Sequence, residues 1–294
     1  MQIVAGLFIL IALWAMIEQN LLTTTKFTIT NKKLGKDFDP TSIVVLSDLH
    51  NHTFGKNNKR LVSKIERLSP DFIIVAGDMA NKDQGCIPSN AYSLMELLAK
   101  KYKIYYALGN HEQYLIEKLN REVDHRNSTQ SQGDSTWVEY RKNLSKLGVN
   151  FLDNASVTIT KNNNTLKITG VSIGREYFDR GNPRTMQINY LEDQLGQCDR
   201  SVFQLLIAHN PNYFKNYSDW GADLTISGHI HGGLIRLPLL GGILSPHIRF
   251  FPKYDAGKYT EADKKMIVSR GLGSHSIMFR LFNPPELIFI QLKK

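Results

Sequence analysis

Five short apolar runs, each followed at once by metal-ligand residue types, constrain this 294-residue chain more than any other feature. Ile43-Val44-Val45-Leu46 leads into Ser47-Asp48-Leu49-His50, and Phe72-Ile73-Ile74-Val75 leads into Ala76-Gly77-Asp78. Ile104 to Leu108 leads into Gly109-Asn110-His111-Glu112, and Val202 to Ile207 into Ala208-His209-Asn210-Pro211. Leu224 to Ser227 leads into Gly228-His229-Ile230-His231-Gly232-Gly233. Apolar, β-branched runs without alternation are the pattern of strands buried on both faces. Helical spacing lies between several of them, as in Leu61-Val62-Ile65-Leu68 and Tyr92-Leu94-Leu97-Leu98. Strands alternating with helices imply βαβ units and a mainly parallel α/β core. Ligands of open α/β sheets bind beyond the carboxyl ends of the strands, so the Asp, Asn and His residues should gather on one rim.

That rim offers Asp48, His50, Asp78, Asn110, His209, His229 and His231 as ligands. Such a set exceeds the needs of one zinc ion and suits two divalent ions sharing a carboxylate. Two ions ~3.5–4 Å apart clamp a phosphoryl group and polarise a bridging water into hydroxide. Gly77, Gly109 and Gly228 permit sharp turns beside the ligands. A single histidine after a strand is usually a surface or core residue, but five such pieces in order are not explained by coincidence.

The ordered blocks Asp-x-His, Gly-Asp, Gly-Asn-His-Glu, an isolated His and Gly-His-x-His resemble the calcineurin-like metallophosphoesterase superfamily over Ile43 to the carboxyl terminus. Within it the chain is similar to the membrane-associated bacterial branch of the YkuE and YaeI phosphodiesterases. The cues are Ile235-Arg236-Leu237-Pro238 after the histidines, Phe251 to Gly257, Ser269 to Gly273, and Phe282 to Leu287. The resemblance implies a four-layer α/β/β/α sandwich with a dinuclear site at one edge. It implies that Asp48, His50 and His231 hold the first metal, Asp78 bridges, and Asn110, His209 and His229 hold the second. The ions would be Mn, Fe or Zn. His111 would face the substrate and protonate the leaving oxygen or stabilise phosphoryl charge, a task suited to an imidazole. The implied activity is hydrolysis of a phosphodiester or pyrophosphate, with a membrane lipid or envelope precursor as the expected substrate. A phosphomonoesterase or a nuclease is the alternative on the same site. Non-catalytic scaffolds of this fold lose ligands or the histidine after Asn, whereas here all are present. No recognisable nucleic-acid module is found.

Hydrophobic residues at 42% and charged residues at 21% exclude a disordered tail, a collagen and a multi-span membrane protein. Two cysteines, Cys86 and Cys198, are too few for a disulfide framework or a cysteine zinc site. The net charge of +9 favours anionic partners. From Ile3 to Ile17 no polar residue occurs, which is read as one membrane anchor over 1–22, with a cleaved signal or a buried helix as alternatives. Residues 23–40 follow as a juxtamembrane connection carrying a strand at Lys26–Thr30, and 41–294 form the catalytic domain. Lys26, Lys32, Lys33 and Lys36 after the run favour a domain facing the cytoplasm. Asn120 to Asp134 reads as an exposed loop. Arg175, Arg180 and Arg184 are candidates to grip phosphate, although polar-loop arginines are commonly just solvated. The apolar stretch Leu237 to Phe251 packs in the core or forms a lip for a lipid-like substrate.

Overall fold

The computed structural model describes residues 2–81, 89–124, 135–179, 181–245, 250–274 and 280–294. The uniformly apolar runs become central strands. In order, the strands are β1 (Thr23–Thr30), β2 (Thr41–Leu46), β3 (Phe72–Ala76), β4 (Lys103–Ala107) and β5 (Val149–Phe151). They continue as β6 (Ala155–Lys161), β7 (Asn164–Val171), β8 (Phe203–Ala208), β9 (Leu224–Ser227), β10 (Ile235–Leu237) and β11 (Gly241–Leu244). The last three are β12 (Gly257–Glu261), β13 (Lys264–Val268) and β14 (Glu286–Lys293). The helices are α1 (Gln2–Glu18), α2 (Lys59–Leu68), α3 (Ser89–Ala99), α4 (Asn110–Asp124), α5 (Ser135–Lys146), α6 (Tyr190–Leu195) and α7 (Phe214–Trp220).

Two six-stranded sheets result, ordered β1-β14-β2-β3-β4-β5 and β12-β13-β9-β8-β7-β6, with β10-β11 as a separate hairpin. Neighbours β2, β3, β4 and β5 run parallel, as do β7, β8, β9 and β13. The sheets face each other across one core of Ile43, Val45, Ile74, Ile168, Ile207 and Ile226, all buried. A second core joins the outer face of the first sheet to α2, α3 and α5 through Val44, Ile73, Leu61, Leu94 and Leu144. A third joins the outer face of the second sheet to α6 and α7 through Leu206, Leu191 and Tyr217. The layers therefore run helix, sheet, sheet, helix. Burying each such aliphatic side chain contributes ~1.5–3 kcal/mol, so the strand bodies form a rigid base for the rim loops.

Three expectations change. Helix α1 covers 17 residues, a rise of ~25 Å against a ~30 Å hydrocarbon core. Among the described residues no helix is long and apolar enough to cross a membrane. At its end Glu18 is buried, and its carboxylate accepts the Phe282 N–H at 2.8 Å, which ties the helix to the domain. The strand expected at Lys26–Thr30 is β1, which begins earlier, at Thr23, and pairs in parallel with β14 along its whole length. Its Ile29, and Leu34 and Phe38 beyond it, lie in the inter-sheet core. Helix α4 continues to Asp124 through the start of the expected loop, and 125–134 lie outside the described residues.

The register places α1 with respect to the rim. Thr23 opposes Glu286, and Ile288 opposes Val45 in antiparallel β2. The start of β1 thus lies at the carboxyl end of β2, and α1 departs from the edge that carries Asp48.

Candidate metal centre

Backbone conformation marks the rim before any side chain is considered. Asp48, His50, Asp78, His229 and His231 all have positive φ, between 48° and 73°. A non-glycine residue held there costs of order 1 kcal/mol or more, and persists where the surroundings over-determine it. The turns bring the side chains inward. Buried Asp48, His50 and His231 form one group whose ligand atoms lie within 4.8 Å of one another, and Asp78, His209 and His229 form another. His50, Asp78 and His111 form a third between them.

The histidines are oriented from behind. The His209 Nδ1 lies 2.6 Å from the Ala76 carbonyl, the His50 Nδ1 2.8 Å from Asn81 Oδ1, and the His231 Nδ1 3.2 Å from the Gly273 carbonyl. In His209 and His50 an Nδ1–H facing an oxygen donates to it, which leaves Nε2 as the inward ligand atom; His231 Nδ1 lies between the Gly273 carbonyl and the Arg280 guanidinium, the latter at 3.3 Å. The Nε2 atoms of His50 and His231 are 3.2 Å apart. That is the separation of two nitrogens held ~2.1 Å from one ion at about 100°. His209 Nε2 lies 3.2 Å from Asp78 Oδ2 and 3.8 Å from Asp48 Oδ1.

Electrostatics asks for cations here. Burial pushes the Asp48 carboxyl up to about 6. Burial opposes protonation of His209, but the Asp78 and Asp48 carboxylates outweigh it and raise the imidazole to about 10. Two buried carboxylates facing one imidazole nitrogen make a site that favours positive charge. Asn110 opens α4, and its Oδ1 is buried without a hydrogen-bond partner. An orphaned buried amide oxygen costs ~1–3 kcal/mol and is the donor a second ion would use. The donor set of imidazoles, carboxylates and one amide fits Mn, Fe or Zn.

Several contributors escaped sequence reasoning. Glu112 accepts the backbone N–H groups of Asp78, Met79, Ala80 and Gly109 at 2.8–3.2 Å, and the Tyr106 hydroxyl at 3.0 Å. It therefore fastens the turn after β3 to the turn after β4. The Asn283 amide donates to the His231 and Gly233 carbonyls, both at 2.7 Å. Arg280, itself buried, donates to the Gly273 carbonyl that orients His231. The Phe178 ring packs edge-on against His229 at 5.0 Å between centroids. Arg280 and Phe178 stand outside the motifs, and Asn283, although it lies within the Phe282 to Leu287 cue, carried no sign there of a bond to the histidine turn. Glu112 stands within its motif, and only the fold reveals its four amide bonds.

Of the candidate phosphate grips, two are described. Arg175 is paired with Glu117 at 3.4 Å and stacks over Tyr114, and Arg184 faces Glu176 at 3.6 Å. Neither belongs to the three ligand groups. Arg180 lies outside the described residues. The apolar stretch after the histidines does not pack wholly in the core: Leu239, Leu240, Phe250 and Phe251 are exposed. They cluster around the β10-β11 hairpin, where Leu244 bridges to Phe250.

Residues 41–233, which contain every ligand candidate, match the family model described as calcineurin-like phosphoesterase. The chain belongs to that family. Its members are metal-dependent phosphoric ester hydrolases, and the mixed α/β sheets with a ligand-bearing rim are those of the metallophosphoesterase fold. This phosphoesterase is 26% identical to the metallophosphoesterase YkuE of Bacillus subtilis over 280 residues, covering 94% of this chain and 87% of that one. It is 24% identical to the phosphodiesterase YaeI of Escherichia coli over 262 residues, covering 86% and 82%. It is also 26% identical to a zebrafish (Danio rerio) transmembrane protein with a metallophosphoesterase domain, covering 90% of this chain and 55% of that one.

Proposed function

We propose that this phosphoesterase is a dinuclear phosphodiesterase, acting on a phosphodiester or pyrophosphate bond of a lipid-borne or envelope-precursor substrate. In this reading Asp48, His50 and His231 hold one ion, Asn110, His209 and His229 the other, and Asp78 reaches both. The observation that carries it is the set of buried ligand groups Asp48-His50-His231 and Asp78-His209-His229, joined by the group in which Asp78 meets His50 and His111. Two divalent ions there would supply Lewis acidity to the phosphoryl group and acidify the attacking water.

The chain's own residues supply the rest. The contacts at Nδ1 of His50, His209 and His231 fix which nitrogen points inward. Glu112 fixes the turns that carry Asp78 and Asn110. The His111 backbone N–H donates to Asp78 Oδ1 at 2.9 Å, and its ring lies edge-on to His50 at 4.8 Å. His111 Nε2, 4.0 Å from Asp78 Oδ2, is the group we assign to protonate the leaving oxygen. Arg175, Arg180 and Arg184 are kept as the residues to hold the distal part of a substrate.

A membrane-surface location is supported by the register that starts α1 from the metal rim, and by the exposed Leu239, Leu240, Phe250 and Phe251 on the hairpin beyond His231. Exposed apolar groups clustered in this way mark interaction sites. The basic residues after α1 support the cytoplasmic leaflet.

The test is turnover by the full chain, reconstituted in turn with Mn, Fe and Zn, of a panel of phosphodiesters, phosphomonoesters and nucleotide-linked lipids. Diester or pyrophosphate cleavage with two ions per chain is expected, and Asp78→Asn should abolish it by orders of magnitude while the fold remains. A folded chain that binds no divalent metal and cleaves no phosphoester overturns the reading.

A further inference from the structure

The face of α2 that does not pack on the sheet carries a charge pattern that the phosphoesterase reaction does not use. Leu61 and Ile65 are buried against the core, while Lys59, Arg60, Lys64 and Arg67 point away from it. They line a groove of about 800 Å³ whose apolar walls include Leu22 and Val62. One carboxylate, Glu66, also lines the groove but pairs with Lys101, and among the described residues none of the four cations pairs with a carboxylate. The charges repel one another: burial, then Arg67 and Arg60, hold the Lys64 ammonium below its usual value.

The groove meets the foot of α1. Arg60 donates to the Asn20 carbonyl at 3.0 Å, and Lys64 donates to the Leu22 carbonyl. Those bonds satisfy carbonyls just beyond the apolar helix, yet leave most N–H donors of both side chains unused. Immediately above lies α1, whose Ile3, Val4, Ile9, Leu10, Leu13 and Trp14 are all exposed. Because no polar residue interrupts Ile3 to Ile17, a protein partner would have to cover every side of the helix. A hydrocarbon phase does so by default. A ring of cations at the base of an apolar projection is the arrangement that seats a protein on an anionic bilayer.

We propose that the groove between α2 and Leu22 is a binding site for the phosphate headgroup of an anionic phospholipid, occupied when α1 enters the bilayer. Arg60, Lys64 and Arg67, at positions i, i+4 and i+7 of α2, bind the headgroup oxygens, and Lys59 adds charge at the rim end. The site rests on the membrane-surface part of the reading above and is separate from the metal centre. Since α1 leaves from the metal rim, a headgroup seated there turns the metal centre toward the same leaflet.

The experiment is vesicle partition of the full chain, comparing phosphatidylglycerol with phosphatidylcholine vesicles. Each cation near an anionic surface contributes about fivefold. The combined variant Arg60→Gln, Lys64→Gln, Arg67→Gln should therefore lower the phosphatidylglycerol-to-phosphatidylcholine ratio by roughly a hundredfold, with hydrolysis of a water-soluble diester unchanged. A control removing the same charge elsewhere, Lys142→Gln, Lys146→Gln, Lys258→Gln, should keep most of the preference. Equal losses in the two variants, or no preference in the wild type, overturn the proposal. So does a thermal shift by inorganic phosphate that the α2 variant loses while the vesicle preference persists, because the groove is then a soluble-phosphate site. Should the α2 variant fail to fold, wild-type partition measured against NaCl decides: a steep fall on phosphatidylglycerol supports the site, and a flat line overturns it. None of these outcomes depends on turnover, so the hydrolase reading stands or falls separately.

Discussion

Replacing Gly109 by alanine adds one methyl group, and its landing place can be stated. The new Cβ would stand 2.1 Å from Asp78 Oδ1, 2.5 Å from Asp78 N and 2.7 Å from Asp78 Cγ. Ordinary contact between such atoms is above ~3 Å, so the carboxyl proposed to serve both ions must retreat by about an ångström. Overpacking of that kind costs ~1–3 kcal/mol of stability. A misplacement of about 1 Å in a catalytic arrangement costs ~10²-fold in rate, or ~2.7 kcal/mol of barrier. Gly148→Ala is the matched control: its Cβ would meet nothing within 4 Å, but its φ of +91° strains any other residue, by ~1–2 kcal/mol. Both variants should melt earlier. Only Gly109→Ala should lose bound metal and fall ~10²-fold or more in kcat on bis(p-nitrophenyl) phosphate, read beside elemental analysis of the purified proteins. Two ions retained with kcat within twofold of wild type would refute the placement of Asp78 at the centre of the site.

Removing the His111 imidazole should lower kcat by ~10²–10⁴ with both metals kept. A nitrophenyl ester should suffer less than an alkyl ester, and equal losses on the two would count against its role as acid. Glu112→Gln turns an NH₂ toward backbone N–H groups, leaving about two donors unmet at ~1–3 kcal/mol each; a denaturation midpoint unchanged from wild type would contradict that. Asp255 accepts from the Arg236 guanidinium, the Gly242 N–H and the Tyr259 hydroxyl, each at 2.6 Å. Burial pushes its carboxyl up, but these bonds hold it below the usual 3.8. Its support of the β10-β11 hairpin is thus present above that value and lost as pH falls through the lowered one. Hydrogen exchange of 235–244 should quicken relative to β8 between pH 5 and pH 3, and equal protection at both would disprove the linkage.

The candidate rim was legible in the sequence because strands covered on both faces cannot alternate, and the one to three residues past each strand's end come to the rim. Asp48, Asp78, Asn110, His209 and His229 could therefore be located from the runs preceding them. β1 was only half legible: TTTKFTIT is polar because an edge strand shows one side to water, so its first residues read as connection. The end of α1 was hidden for a different reason. Glu18 looks like the polar boundary of an apolar span until Phe282, 264 residues away, is seen donating to it. Arg280 and Asn283 act through carbonyls at Gly273 and His231, and backbone acceptors leave no trace in residue identity.

The pairing of β1 with β14 imposes an order on synthesis. Within the first sheet, β1 pairs with β14 alone, and Thr23 waits for Glu286, a separation of 263 residues. At ~5–20 residues per second, α1 and β1 leave the ribosome some tens of seconds before their docking place exists. Until then β1 has no β14 to pair with, and Glu18 has no Phe282 N–H to accept from. The edge strand and the foot of the apolar helix are therefore made early and fastened last, when the final strand closes the sheet between β1 and β2.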